Sequence, residues 1–378
     1  MPTHLPQGAR RAHPAIALAL ALGAMGAHAQ SSSVTVYGSV DQYVNHMRSS
    51  SGASMTALED GAVLRSRLGF RGQEDLGGGL YAKFQLEMGI NADNGSQADT
   101  ARGFDRQSWV GLGGGWGELR LGRQNSVIFG RGDYIDFTSR TLGSMVNNFG
   151  VPSRFDNDIS YTSPRVGGFL FEAHYAMAET GAPSRQAIYQ AGLDYANGPY
   201  RVGYAGLYAR APQSAAYTAP VRYDNLYANY DYGQGKVQLA FVRSNNSTAG
   251  TAGNNTATVL GNTGGLVAGT NPDVNRFYRI WQLSADYRLT PQLRVGALWG
   301  RIQDSSGSGR GASGGAVAAY YDLSKRTMLY AVAEQLSNDR NAGFRLAASG
   351  GMKPNFTAAD DVNGRTIKGV QLGVVHRF

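Results

Sequence analysis

The sequence predicts an all-β protein: a 16-stranded antiparallel transmembrane β-barrel with short periplasmic turns and long extracellular loops. Three observations carry this. From Val34 onward, segments of roughly ten residues alternate apolar and polar side chains, the period of a strand with two unlike faces. The connections between segments alternate short and long, which places every long loop at one end. The polar face carries Lys, Arg, Glu, Asp and Gln deep within the segments. Such groups cannot fill a dry core without partners, but they can line water.

The bulk composition agrees. The chain has 378 residues, no cysteine, 52 Gly, 21 Tyr and only 16% charged residues. That excludes a disulfide framework, a thiolate metal site, a coiled coil and a charged disordered chain. Beyond the N-terminus no apolar run approaches the ~20 residues of a membrane-spanning helix, so membrane insertion requires strands. The N-terminus reads as a secretory signal peptide over residues 1–29. Arg10 and Arg11 precede the apolar run AIALALALGA, and Ala27-His28-Ala29 has the small-x-small form of a cleavage site. Residues 30–378 then form the barrel. The net charge of +8 could indicate nucleic acid, but an exported chain rarely meets it, and acidic surface sugars or anionic solutes fit better.

The elements follow in order. Val34–His46 is the first strand. In LRSRLGFR, Arg65, Arg67 and Arg71 share one face with Gly69, and Leu68 and Phe70 share the other. LYAKFQLEM is the clearest case: Leu80, Ala82, Phe84, Leu86 and Met88 oppose Tyr81, Lys83, Gln85 and Glu87. DRQSWVG and GELRLGR come next, the latter with Leu119 and Leu121 against Glu118 and Arg120. Further strands are expected at 156–162, 169–177, 187–195, 200–208, 225–232, 236–243, 277–289, 293–299, 316–323, 327–334 and 366–378.

Short turns rich in Gly, Pro, Asn or Ser, such as Gly77–Gly79 and Gly233–Gly235, have the composition of tight hairpins. Long connections lie near 47–62, 90–103, 124–153, 178–186, 209–223, 244–275, 301–312 and 335–364. A soluble β-sandwich also alternates, but its loop lengths follow no order. Here Tyr200, Tyr208, Tyr230, Tyr232, Trp281, Tyr287 and Trp299 flank the apolar face near strand ends, and closure removes the sheet edges that lipid would not tolerate.

The stretch from Gln124 to Ser153 breaks the alternation for about thirty residues. It carries Arg131 and Arg140, the acidic pair Asp133 and Asp136, and Phe129, Tyr134, Ile135 and Phe137. Loops of this length without structure of their own are uncommon and usually functional.

No catalytic or cofactor constellation stands out. GxxxxGK[ST], HExxH, GxSxG and EF-hand patterns are missing, and GLGGGWG at 111–117 is a turn. His46, His174 and His376 lack metal-ligand spacing and read as strand residues. No enzyme activity, metal or cofactor is expected.

The segments SSVTVYGSVDQYV, SRLGFRGQEDLGGGLYAKFQLE, RQSWVGLGGGWGELRLGRQ, NDISYTSP and the terminal GVVHRF together resemble the general porins of Gram-negative outer membranes. They are most similar to the trimeric porins typical of β-proteobacteria. The resemblance implies a homotrimer in the outer membrane, surrounded by lipid and lipopolysaccharide, with the third long loop folded into each lumen. It also implies that Phe378 is read by the outer-membrane assembly machinery. It implies passive diffusion of small hydrophilic solutes and ions. The pore constriction would set Arg67, Arg106 and Arg154 on the wall against Asp133 and Asp136 on the loop, giving an anion preference. Arg65, Arg71, Lys83, Arg120 and Arg123 are further lumen candidates. A channel specific for a small organic anion or phosphate is the alternative.

Overall fold

The computed structural model describes residues 32–178, 187–210, 220–246 and 277–378. The leader expected at 1–29 and nearly all of the connection at 244–275 lie outside them, as do parts of 178–186 and 209–223.

The chain opens with β1 (Ser32–Ser49), β2 (Ser54–Asp60), β3 (Arg67–Gly77) and β4 (Leu80–Asn91). The two-residue β5 (Ser96–Gln97), β6 (Gln107–Gly114) and β7 (Gly117–Asn125) follow. Next are β8 (Arg154–Thr162), β9 (Phe169–Ala176), β10 (Ile188–Asn197), β11 (Tyr200–Ala209) and β12 (Val221–Asp231). The last six are β13 (Lys236–Ser244), β14 (Tyr278–Arg288), β15 (Leu293–Asp304), β16 (Ala312–Asp322), β17 (Thr327–Asn338) and β18 (Thr366–Arg377).

Neighbouring strands pair antiparallel, and the sheet closes where β1 meets β18, from Ser39 opposite Arg377 to Ser49 opposite Ile367. β2 and β3 lie end to end along β1 and act as one stave. β5 pairs only with Ile90 and Asn91 of β4. Among the described residues the wall therefore has sixteen staves, as the alternation predicts.

Period two holds around the barrel. On β14, Arg279, Trp281 and Leu283 face outward and are exposed, while Tyr278, Ile280, Gln282 and Ser284 face inward and are buried. One expected loop is shorter than the sequence suggests. In place of a long connection at 47–62, β1 and β2 continue above the apolar band and leave only residues 50–53 as a turn. Their outward residues there are polar, such as His46 and Arg48, so the apolar alternation fades although the ladder persists. The break comes at 61–66, between β2 and β3. There Asp41 of β1 takes the Val63 and Leu64 N–H groups at 2.9 and 2.8 Å.

Among the described residues, two loops enter the barrel. The first, between β7 and β8, begins with a 3₁₀ turn (Phe129–Tyr134) and ends with the short helix α1 (Met145–Phe149). Val127, Ile135, Leu142, Met145 and Phe149 are fully buried. The second, between β17 and β18, carries the short helix α2 (Ala359–Val362) and buries Phe344, Leu346 and Val362. Its inward course was not anticipated from sequence. The loops meet on the lumen side of β12–β17. Phe149 lies 5.4 Å from Tyr278 and 6.4 Å from Phe344 between ring centroids, and Asn148 Oδ1 accepts the Ala347 N–H at 3.0 Å. The second loop is also tied to the opposite side, with Gly350 N donating to Gly61 O at 2.7 Å and Lys353 N to Glu59 Oε2 at 2.8 Å.

Truncating a buried Phe costs about 3–5 kcal/mol. Phe344→Ala should therefore loosen the second loop without opening the wall. The expected readout is noisier, larger single-channel conductance with an unchanged strand signal in circular dichroism. An unchanged conductance trace would count against the packing described.

Candidate pore constriction

The inward loop between β7 and β8 crosses the lumen and is fastened on the far wall. Phe137 N donates to Ser284 Oγ at 2.9 Å, Met145 N to Gln282 Oε1 at 2.7 Å and Gly143 N to Glu334 Oε2 at 2.6 Å. Phe137 packs where Gly296 of β15 has no side chain; a Cβ there would come within 2.5 Å of the ring. At its root, Arg131 Nη2 pairs with Glu172 Oε2 at 2.7 Å. Glu172 also meets His174 Nε2 at 2.9 Å, and His174 Nδ1 meets Asp158 at 2.7 Å. The loop thus packs chiefly on the inner face of β12–β17, with its root tied to β9.

On that wall, the sequence-selected arginines come together. Glu87, inward on β4, joins two of them: its Oε1 accepts from Arg106 Nε at 2.7 Å, and its Oε2 lies 3.6 Å from Arg67 Nη1. Tyr37 OH donates to the same Oε2 at 2.9 Å. Arg106 sits one residue before β6, off its alternation, where its N–H bonds Glu87 O at 3.1 Å. Arg123 pairs with Asp156 at 2.5 Å and donates to Asp105 O at 2.6 Å. Arg154 opens β8 beside a register shift between Gly122 and Gln124. Its guanidinium lies 4.6 Å from the centroid of Phe129, whose ring Arg140 also approaches at 4.3 Å. Arg154 is within electrostatic reach of Arg67, Arg106 and Arg123. Its Nε and Nη2 find no acceptor among the described residues. Arg102 also reaches Asp156 at 3.4 Å while pairing with Asp99 at 2.8 Å, so five arginines gather around Glu87 and Asp156.

The two acidic residues of the inward loop differ in what their carboxylates do. Asp133 is exposed at the end of the 3₁₀ turn. Asp136 is only 1% exposed and holds the loop's own shape. Its Oδ1 accepts from Thr138 N at 3.0 Å, Thr138 Oγ1 at 2.6 Å and Arg140 N at 2.9 Å. Its Oδ2 accepts from Gln282 on β14 at 2.6 Å. An Asp that accepts the N–H two residues on is a turn former, which sequence alone does not separate from a charge aimed at the lumen.

The further candidates divide. Arg65 is buried and serves the second loop, donating to Gly350 O at 2.8 Å and Asn91 Oδ1 at 2.6 Å. Arg71, Lys83 and Arg120 line the lumen on the short-turn side of the arginine cluster. Arg71 stands 5.1 Å from the Tyr37 ring centroid, and Lys83 and Arg120 share Glu118 at 2.7 and 2.5 Å. Sequence reasoning passed over Glu87, Asp156 and Glu118 as site residues. For Glu87 and Glu118 the signal was present, since alternation already puts each among basic residues on the polar face. His46, His174 and His376 are strand residues, as expected.

A closed, lipid-facing barrel with a loop-narrowed, charged lumen defines an outer-membrane channel protein. The sequence matches the Gram-negative porin family over residues 15–341. The chain belongs to that family, which is one of non-enzymatic channels located in the outer membrane. It is 37% identical over 202 residues to the major outer membrane protein P.IB of Neisseria meningitidis serogroup B, a stretch that is 52% of this chain and 59% of that protein. The matched region thus spans little more than half of that relative. It is 29% identical over 401 residues to an outer membrane porin protein of Bordetella pertussis, covering 96% of this chain and 99% of that one. The anion-selective porin from Comamonas acidovorans superposes with a TM-score of 0.75 at 26% identity, covering 92% of this chain and 100% of that one.

An ion within about 4 Å of one charge in a water-like dielectric feels about 1 kcal/mol. Glu87→Gln should therefore raise the anion-to-cation permeability ratio several-fold. Reversal potentials in a salt gradient measure this; a shift toward cations would contradict the arrangement.

Proposed function

We propose that the chain forms a water-filled channel for passive diffusion of small hydrophilic solutes and ions, that it prefers anions, and that it works as a homotrimer. The observation that carries the preference is the set Arg67, Arg102, Arg106, Arg123 and Arg154 against Glu87, Asp99 and Asp156 on the wall of β3–β8. A polar lumen removes the Born cost of taking an ion through hydrocarbon, of order 20 kcal/mol in the idealised limit. The low-dielectric wall focuses the field of fixed charges onto the path. Arginine keeps its charge at every working pH, so the field persists, as in other pores with basic rings. That the Comamonas relative is named anion-selective supports the same sign.

Support for the trimer comes from the outer face. Exposed strand aromatics, among them Phe171, Tyr189, Tyr230, Trp281, Trp299 and Tyr321, fall on β9–β16. Across β17, β18 and β1–β4 the exposed large apolar side chains within strands are aliphatic, such as Leu329, Leu372, Val374, Val36 and Val44. An aromatic belt marks a lipid interface, and its interruption marks an arc suited to a second copy. Porins are typically trimeric. Lipid and lipopolysaccharide would then face the aromatic arc. The exposed terminal Phe378 is available to assembly machinery.

Replacing Arg67 and Arg106 by Ser should move the reversal potential toward zero and leave the barrel folded. An unmoved potential, or a wild-type potential that favours cations, would overturn the reading. In detergent gels an unheated sample should migrate as a trimer; migration as a monomer would count against the assembly.

A further inference from the structure

On the short-turn side of the arginine cluster, the inner wall carries a second polar surface that the narrowing does not use. The strand registers build it in two rows. In the upper row Thr35, Arg71 and Gln85 stand opposite one another across β1, β3 and β4, with Trp109 of β6 beside them. In the lower row Ser33, Gln73 and Lys83 do the same, and Arg120 of β7 follows across Gly111 of β6. Gly111 has no side chain, so the wall is hollow between Lys83 and Arg120; a Cβ there would come within 3.2 Å of Arg120 Cγ. The result is a concavity of about 390 Å³, within the size range of small-molecule sites.

The lining holds the cations Arg71, Lys83 and Arg120 and no carboxylate. Glu118 lies one row further down, opposite Gly113, and pairs with Lys83 at 2.7 Å and Arg120 at 2.5 Å. Only 9% of its side chain is exposed, against 30% of Lys83 and 37% of Arg120. It therefore anchors the two cations from behind, and the lumen meets their positive ends. Asp75, in the same lower row, accepts the Gly77 N–H of the hairpin turn at 2.9 Å. Arg71 is exposed, pairs with no carboxylate among the described residues and lies 5.1 Å from the Tyr37 ring centroid. Three cations on one wall favour a dianion, and the arginine fork matches phosphate oxygens. The other lining groups offer more than a bare phosphate can use. Gln85 Nε2 donates to Tyr37 OH at 2.5 Å, which leaves Oε1 as an acceptor, and Ser33, Thr35 and Gln73 each supply donor and acceptor. Acceptors set beside cations suit an anion whose own hydroxyl groups donate.

We infer that this concavity is a solute subsite for a small phosphorylated polyol, such as a sugar phosphate: Arg71 and Lys83 hold the phosphate, and Ser33, Thr35, Gln73 and Gln85 take the hydroxyl groups. The inference rests on the channel proposed above and adds a binding step after the narrowing, weak enough for the solute to leave. The test uses the full-length barrel in planar bilayers, with conductance followed as glucose 6-phosphate, glucose or inorganic phosphate is added. Glucose 6-phosphate should reduce the wild-type conductance saturably. Inorganic phosphate should need at least tenfold more for the same reduction, and glucose should give no saturable effect. R71Q, which removes a charge without stranding a carboxylate partner, should raise the half-blocking concentration of glucose 6-phosphate at least tenfold. S33A/T35V should raise it several-fold while leaving the inorganic phosphate response unchanged, a separation that a loss of barrel structure would not produce. Open channels without saturable block would overturn the subsite alone. Equal potency of inorganic phosphate and glucose 6-phosphate, or equal block of wild type and R71Q, would also overturn it. Absence of any conductance steps from the wild type would overturn the channel reading and the subsite with it.

Discussion

Hydrocarbon offers no partner to a backbone N–H or C=O, and this requirement shapes the whole chain. Closure of β1 on β18 leaves no free edge in the wall. Once the wall is closed, every strand must present one face to lipid and the other inward, and period two follows along the sequence. The wall cannot narrow itself, because strand number and tilt fix its width. Narrowing falls to the loops, which escape the alternation and can carry turns, short helices and buried polar groups.

The loops do not plug the lumen evenly. Both press against β12–β17, where the inward side chains turn apolar: Val242, Ile280 and Ile302 are fully buried beneath them. That half of the interior is a packed core, with ring contacts among Phe149, Tyr223, Tyr278 and Phe344. The inner side of β3, β4, β7 and β8 carries polar groups instead, among them Arg67, Glu87, Arg123 and Arg154. In the proposed channel, such an off-centre path would bring a passing solute close to the charged wall. A concentric opening of equal area would hold it further from any one charge, and Coulomb interaction weakens with distance.

The strands were legible because their signal is local. Leu80 to Met88 alternates without exception, and sixteen such segments suffice to count the wall. Loop direction was not legible in the same way. Nothing in the spacing of Phe344 and Leu346 separates a loop that enters the lumen from one that stands above it; the distinction lies in contacts with Phe149 and Tyr278, more than 60 residues away. The part played by Asp136 was hidden for a related reason. Asp133 and Asp136 look alike in sequence, yet one is exposed and the other is enclosed by Thr138, Arg140 and Gln282. Glu87 was placed on the correct face but not recognised as the group that binds two arginines, because its partners come from three different strands or their junctions.

Arg154 shows how the loop and the field depend on one another. A guanidinium cannot shed its proton to relieve repulsion, and Arg154 stands near three other arginines. What holds it there is the face of Phe129, a residue of the inward loop's 3₁₀ turn. Cation–π contact contributes about 0.5–2 kcal/mol, and it leaves Nε and Nη2 without a carboxylate partner. A carboxylate in place of Phe129 would cancel the charge of Arg154. The aromatic ring positions the cation while preserving its field, so the segment that narrows the lumen also maintains the charge at the narrowing.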